Sequence, residues 1–72
     1  MDDDALRERI RLLAGAAVTA GGCLIIQGRD GDYVVEAETV EVSGDALNAD
    51  NLDGTKVQIP LATIADVKLD LN

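Results

Sequence analysis

The sequence predicts a mainly β fold: a small five-stranded barrel with one N-terminal α-helix and a 3-10 turn before the last strand. Three observations carry that expectation. An apolar stripe at helical spacing (Leu6, Ile10, Leu13, Ala17) opens the chain, and Gly21-Gly22 stops it. Short apolar runs of strand length follow, separated by Asp-Gly and Ser-Gly-Asp turn signals. The last third, Val57 to Leu69, reads as a strand, a proline-started turn and a second strand. With 72 residues, one domain spans the chain, with the helix over residues 3–18 and the barrel over 23–71.

Each element has a local cause. Asp2, Asp3 and Asp4 supply a helix cap and favourable charge near the positive helix end. Cys23 to Gln27 is a continuous apolar run and forms the first strand. Arg29-Asp30-Gly31-Asp32 turns the chain, with Asp-Gly expected at the two positions of a tight hairpin that need positive φ. Tyr33 to Val42 is the longest strand, and its phase changes: Val35 and Ala37 share one parity, Val40 and Val42 the other. A bulge or sharp bend produces such a switch. Ser43-Gly44-Asp45 is the next turn, Ala46 to Leu52 a weak third strand, and Asp53-Gly54 a further hairpin turn. Thr55 to Ile59 alternates, with Val57 and Ile59 facing in. Pro60 ends that ladder, Leu61 to Ile64 form a single 3-10 turn, and Val67, Leu69 and Leu71 alternate along a half-buried fifth strand.

Composition narrows the function classes. An apolar fraction of 47% is too high for a disordered chain, and Tyr33 is the only aromatic residue, so the core is aliphatic. Fourteen acidic residues against six basic ones give a net charge of -8, with only Lys56 and Lys68 as lysines. Such a surface suits a salty cytoplasm, where screening removes most self-repulsion. An ordinary acidic domain fits equally well. Either way the field repels nucleic acid and anionic membrane at low salt. The acidic start, Met1-Asp2-Asp3-Asp4, is unlike a signal peptide, and no apolar run spans a membrane, so the expectation is a soluble cytoplasmic protein with no membrane role. One cysteine and no histidine leave no internal disulfide and no Cys/His metal site. A domain this small gains most readily from self-association.

Candidate chemistry is sparse. Without histidine, and with Cys23 heading an apolar strand as a small buried hydrophobe, acid–base or nucleophilic catalysis is not expected; no enzyme activity and no cofactor follow. The acidic turns at Asp30/Asp32 and Asp45/Asp50/Asp53 hold residue types that bind hard cations, but Leu52 falls where a ligand is needed, and turn chemistry accounts for them. No metal is expected. Arg7, Arg9 and Arg11 form the only basic cluster, so Arg7 and Arg11 offer a secondary basic face for RNA; pairing with Asp3, Asp4 or Glu8 on a solvated face is the plainer reading. Tyr33 offers a stacking surface for a base or packs on the barrel.

The order of helix, five strands and a short turn before the last strand resembles the Sm-like and SH3-like small β-barrels over nearly the whole chain. Arg29-Asp30-Gly31-Asp32-Tyr33 sits where Sm proteins carry a charged-Gly turn. Asp45-Ala46-Leu47-Asn48 is similar to the Asp…Met-Asn signature of their RNA pocket, one residue short. The Arg-Gly signature of the second Sm motif is replaced by Ile59-Pro60-Leu61-Ala62-Thr63-Ile64, which resembles the C-terminal barrel of the ribosome maturation factor family. The resemblance implies a non-enzymatic, Sm-like homo-oligomer, joined through its fourth and fifth strands. It implies single-stranded RNA at high salt as ligand, at Asp45 and Asn48 with Arg29 or Tyr33 beside them. The alternative is an SH3-like adaptor that binds a protein partner and no nucleic acid.

Overall fold

Asp2 starts the helix: its carboxylate accepts the Ala5 N–H at 2.7 Å, and Asp3 and Asp4 follow in the first turn. The computed structural model describes residues 2–71. Helix α1 covers Asp3–Ala20, two residues longer than expected, because Gly15 and Ala16-Ala17-Val18-Thr19 stay helical. It ends in a Schellman motif. Gly21 takes φ 73°, its N–H donates to Val18 O at 3.3 Å, and the Gly22 N–H donates to Ala17 O at 2.8 Å.

Six strands follow instead of five: β1 Cys23–Gly28, β2 Gly31–Glu36, β3 Glu41–Ser43, β4 Ala46–Asp50, β5 Lys56–Pro60 and β6 Ile64–Asp70. They form two antiparallel three-stranded sheets, ordered β2-β1-β6 and β3-β4-β5, that do not close into a barrel. The extra strand comes from the long segment expected as one bent strand. A 3-10 turn, Ala37–Thr39, divides it into β2 and β3. Val35 before this turn and Ala37 at its start are buried, and Val40 and Val42 after it pack against the same core. The parity switch is therefore real, but a helical turn makes it and not a bulge.

Thr39 ties that corner. Its hydroxyl donates to Glu36 O at 2.7 Å and accepts the Asp50 N–H at 2.9 Å. One side chain thus supplies partners that an unbroken strand would have offered. Thr39→Val leaves both backbone groups without this partner in a half-buried place. It is expected to cost about 1–3 kcal/mol in urea denaturation, with Thr39→Ser closer to wild type.

All the buried residues described except Ala46 form one cluster. Leu6, Ile10 and Ala17 of α1 meet Leu24, Ile26, Val35, Ala37, Leu47, Ala49, Ile59, Leu61 and Val67, so the helix plugs the space between the sheets. Leu13 packs partly against them; Leu71, expected to face in, lies beyond β6 and is exposed. Cys23 is half-buried rather than buried. The second 3-10 turn, Leu61–Thr63, precedes β6 as expected.

Two turns differ from expectation. Gly28 pairs with Gly31, so the β1–β2 loop is Arg29-Asp30 and not Asp30-Gly31. Gly31 is the first residue of β2, with φ 147°, and no non-glycine among the described residues has positive φ. Asp53-Gly54 lies inside a longer loop whose Asn51 N–H donates to Thr55 O at 2.8 Å. Gly44, with φ 61°, opens the two-residue β3–β4 loop, where a II′ turn takes glycine.

Candidate functional site

The candidate residues occupy separate places. Arg29 and Asp45 are exposed in two loops at one end of the molecule, because both loops anchor on the second 3-10 turn: the Arg29 N–H donates to Thr63 O at 3.0 Å, and Asp45 O accepts the Leu61 N–H at 2.8 Å. Asn48 lies within β4, three residues after Asp45, which stays in the loop before that strand. Asn48 stands across from Glu41 and Gln58 on the outer side of its sheet, in a shallow recess that also holds Asp50 and Lys56. Tyr33 pairs in register with Ile26 at the exposed end of β2. Among the described residues, no hydrogen bond or ion pair joins any two of Asp45, Asn48, Arg29 and Tyr33.

The arginine face is largely spoken for. Arg11 holds Glu8 through two hydrogen bonds, of 2.5 and 3.2 Å; this contact lowers the Glu8 carboxyl and raises the guanidinium. Arg7 donates to Gly44 O, joining α1 to the β3–β4 loop. Arg9 holds Asp66 at 3.1 Å. Between α1 and β3, Ile10, Ala14, Val40 and Val42 floor a groove of about 360 Å³ flanked by Arg7 and Arg11. A second hollow of about 260 Å³ lies at the C-terminal end of α1, among Val18, Cys23, Glu38 and Leu52.

Asp53 and Asp66 are the other two carboxylates displaced from their ordinary range, both downward. Asp53 accepts from the Thr55 hydroxyl at 2.6 Å and from its N–H at 2.9 Å, and the hydroxyl bond contributes most. Asp66 accepts first from the Val67 N–H at 2.8 Å and then from Arg9. A folded pKa below the unfolded value near 3.9 gives stability that is present above about pH 4 and is lost as pH falls through the depressed value. Thermal melts are therefore expected to hold level from neutral pH to about pH 5 and to fall below about pH 4, with a smaller fall in Asp66→Asn.

No group of three or more His, Cys, Asp or Glu side chains is placed to hold a metal ion among the described residues. No helix among them is long and apolar enough to cross a membrane.

The strand edges are the feature that sequence reading located only loosely. Three bonds fix the phase of β4 and β5. Asn51 and Leu61 send their bonds across that pair, to Thr55 O and Asp45 O, while the Asp50 N–H points the other way, to Thr39. Alternation then turns the backbone groups of Val57 and Ile59 toward β4. Those of Lys56, Gln58 and Pro60 face outward, and no strand lies beyond them.

Comparison with known proteins gives no match: no family model fits the chain, and no curated protein or solved structure resembles it significantly.

Proposed function

We propose that this protein is a non-enzymatic, Sm-like module that associates with copies of itself through unpaired strand edges. The observation that supports it is the sheet order: β5 and β6 each end a sheet, and Lys56 and Gln58 of β5 carry outward-facing main-chain groups with no partner among the described residues, whereas Pro60 O accepts from the Thr63 hydroxyl. Edge strands of this kind are templates for pairing with another chain. The exposed aliphatic residues Leu12, Val18 and Leu52 add apolar surface that a lone domain of this size leaves in water.

Single-stranded RNA is the ligand that the resemblance implies. No hydrogen bond or ion pair among the described residues joins any two of Asp45, Asn48, Arg29 and Tyr33, and a charge of -8 opposes RNA in dilute salt. The adaptor reading draws on the α1–β3 groove, whose apolar floor and Arg7, bonded to a neutral carbonyl and to no carboxylate among the described residues, suit an acidic partner segment.

Sedimentation in dilute and in molar salt, with and without single-stranded RNA, tests the reading. Mass above the monomer in molar salt, unchanged by RNA, is the expected result. A monomer at every concentration and salt overturns self-association. RNA-dependent mass restores the nucleic-acid role.

A further inference from the structure

We infer that two copies join about a two-fold axis through β5 alone, with Lys56 and Gln58 of one copy pairing antiparallel with Gln58 and Lys56 of the other. The inference rests on the self-association reading and narrows it from several edges to one, and from an open stoichiometry to a closed pair.

Four strands lie at the sides of the two sheets, and three are blocked, short or acidic. β2 is bridged to the end of β4 at Val35 and Asn51, and its remaining outward residues, Asp32 and Val34, would bring an Asp32 carboxylate from each copy into a seam between chains that each carry -8. β3 has only three residues, and Val42 within it lines the groove against α1. β6 is longer, but it is closed at its middle. Its register with β1, and the Arg29-to-Thr63 bond, direct Asp66, Lys68 and Asp70 toward β1, so Val67 presents its N–H outward. That N–H is already taken by the carboxylate of Asp66, which Arg9 of α1 holds in turn. Val67 is wholly buried, and α1 packs against β6. A strand approaching β6 meets a satisfied donor and a helix where a ladder needs an open group.

β5 is the reverse. Lys56 and Gln58 are exposed, and both turn N–H and C=O outward. A register centred on Val57 places Lys56 opposite Gln58 of the second copy, and Gln58 opposite its Lys56. Each pair exchanges two main-chain bonds and sets no like charges face to face. A register centred on Lys56 would oppose the two lysines. One centred on Gln58 would set Pro60, which has no N–H, against a carbonyl that needs a donor. Pro60 on one side and the Asp53-Gly54 turn on the other bound the pairing to a short segment. The interface is small, so the pair is weak. Each copy carries -8, so it tightens as salt shortens the Debye length to about 3 Å at 1 M.

The test joins one variant with one exchange measurement. Gln58→Pro removes an N–H that the β4–β5 ladder does not use. Wild type in molar salt is expected to sediment as monomer and dimer with nothing larger, and Gln58→Pro as monomer with an unchanged circular dichroism spectrum. In wild type, the Lys56 and Gln58 amides are expected to gain protection from hydrogen exchange on going from dilute to concentrated protein, while Ala65 and Leu69 do not. That second measurement decides the matter if Gln58→Pro fails to fold. Assemblies larger than a dimer, a dimer that survives Gln58→Pro, or protection that appears at β6 would overturn the inference and leave self-association standing. A wild type that stays monomeric removes both.

Discussion

Leu47→Ala is expected to cost about 2–5 kcal/mol of folding stability. Leu47 is fully buried on β4, the middle strand of its sheet. It stands opposite Val42 on β3 and Ile59 on β5, and both belong to or pack on the core that α1 caps. The aliphatic core has no aromatic ring to slide into the space, so truncation removes apolar burial and leaves a cavity that neighbours held in two ladders cannot close. For a chain of 72 residues the total stability is on the order of 4–11 kcal/mol. The variant is therefore expected to lose a large share of it, and its Tm to fall by more than about 8 °C. A urea titration with a lowered midpoint and unchanged slope checks it.

Gly22→Ala is the second large effect, and packing contacts give no hint of it. A Cβ on Gly22 would stand 2.3 Å from Asp70 O, a backbone atom at the end of β6. No side-chain rotation relieves that contact, so either the Schellman turn or the β1–β6 ladder must move. The expected cost is about 3 kcal/mol, at the upper end of the range for overpacking. Gly15→Ala is the internal control. Gly15 sits inside α1 with nothing within 4 Å of a built Cβ, so the same substitution there is expected to stabilise by about 0.5–1 kcal/mol. Opposite signs in the two thermal melts check the geometry at the helix end. Destabilisation of equal size in both would contradict it.

What could be read from the chain was set by neighbours in sequence. The helix cap at Asp2, the stop at Gly21-Gly22 and the turn after Pro60 depend on partners within a few residues, and the structure has them. The change of face between Val35 and Val42 was legible for the same reason. Its mechanism was not, because the Thr39 hydroxyl that holds the corner bonds Asp50, eleven residues away. The split into two unclosed sheets follows from that corner. The β1–β2 turn moved by one residue because the ladders, anchored by Arg29 on Thr63, set the register ahead of the local Asp-Gly preference. The candidate site was read from residue types at short spacing. Asp45 and Asn48 match a signature in type, yet Asp45 stays in the β3–β4 loop while Asn48 lies within β4, across from Glu41 and Gln58. The edge of β5 entered the sequence reading only through the resemblance, as one of two strands that would join copies. Its phase rests on bonds from Asn51, Asp50 and Leu61 that no local pattern encodes.

The most direct measurement is a mixed sample of isotope-labelled and unlabelled chains in molar salt, read by filtered nuclear Overhauser spectroscopy. Pairing through β5 brings the Val57 α-protons of two copies face to face, with Cα atoms about 4.5 Å apart. The predicted result is a cross-copy signal at the Val57 α-proton that grows with the dimer fraction. Cross-copy signals confined to Ala65–Leu69, or none on β5 where the mass has doubled, would contradict it.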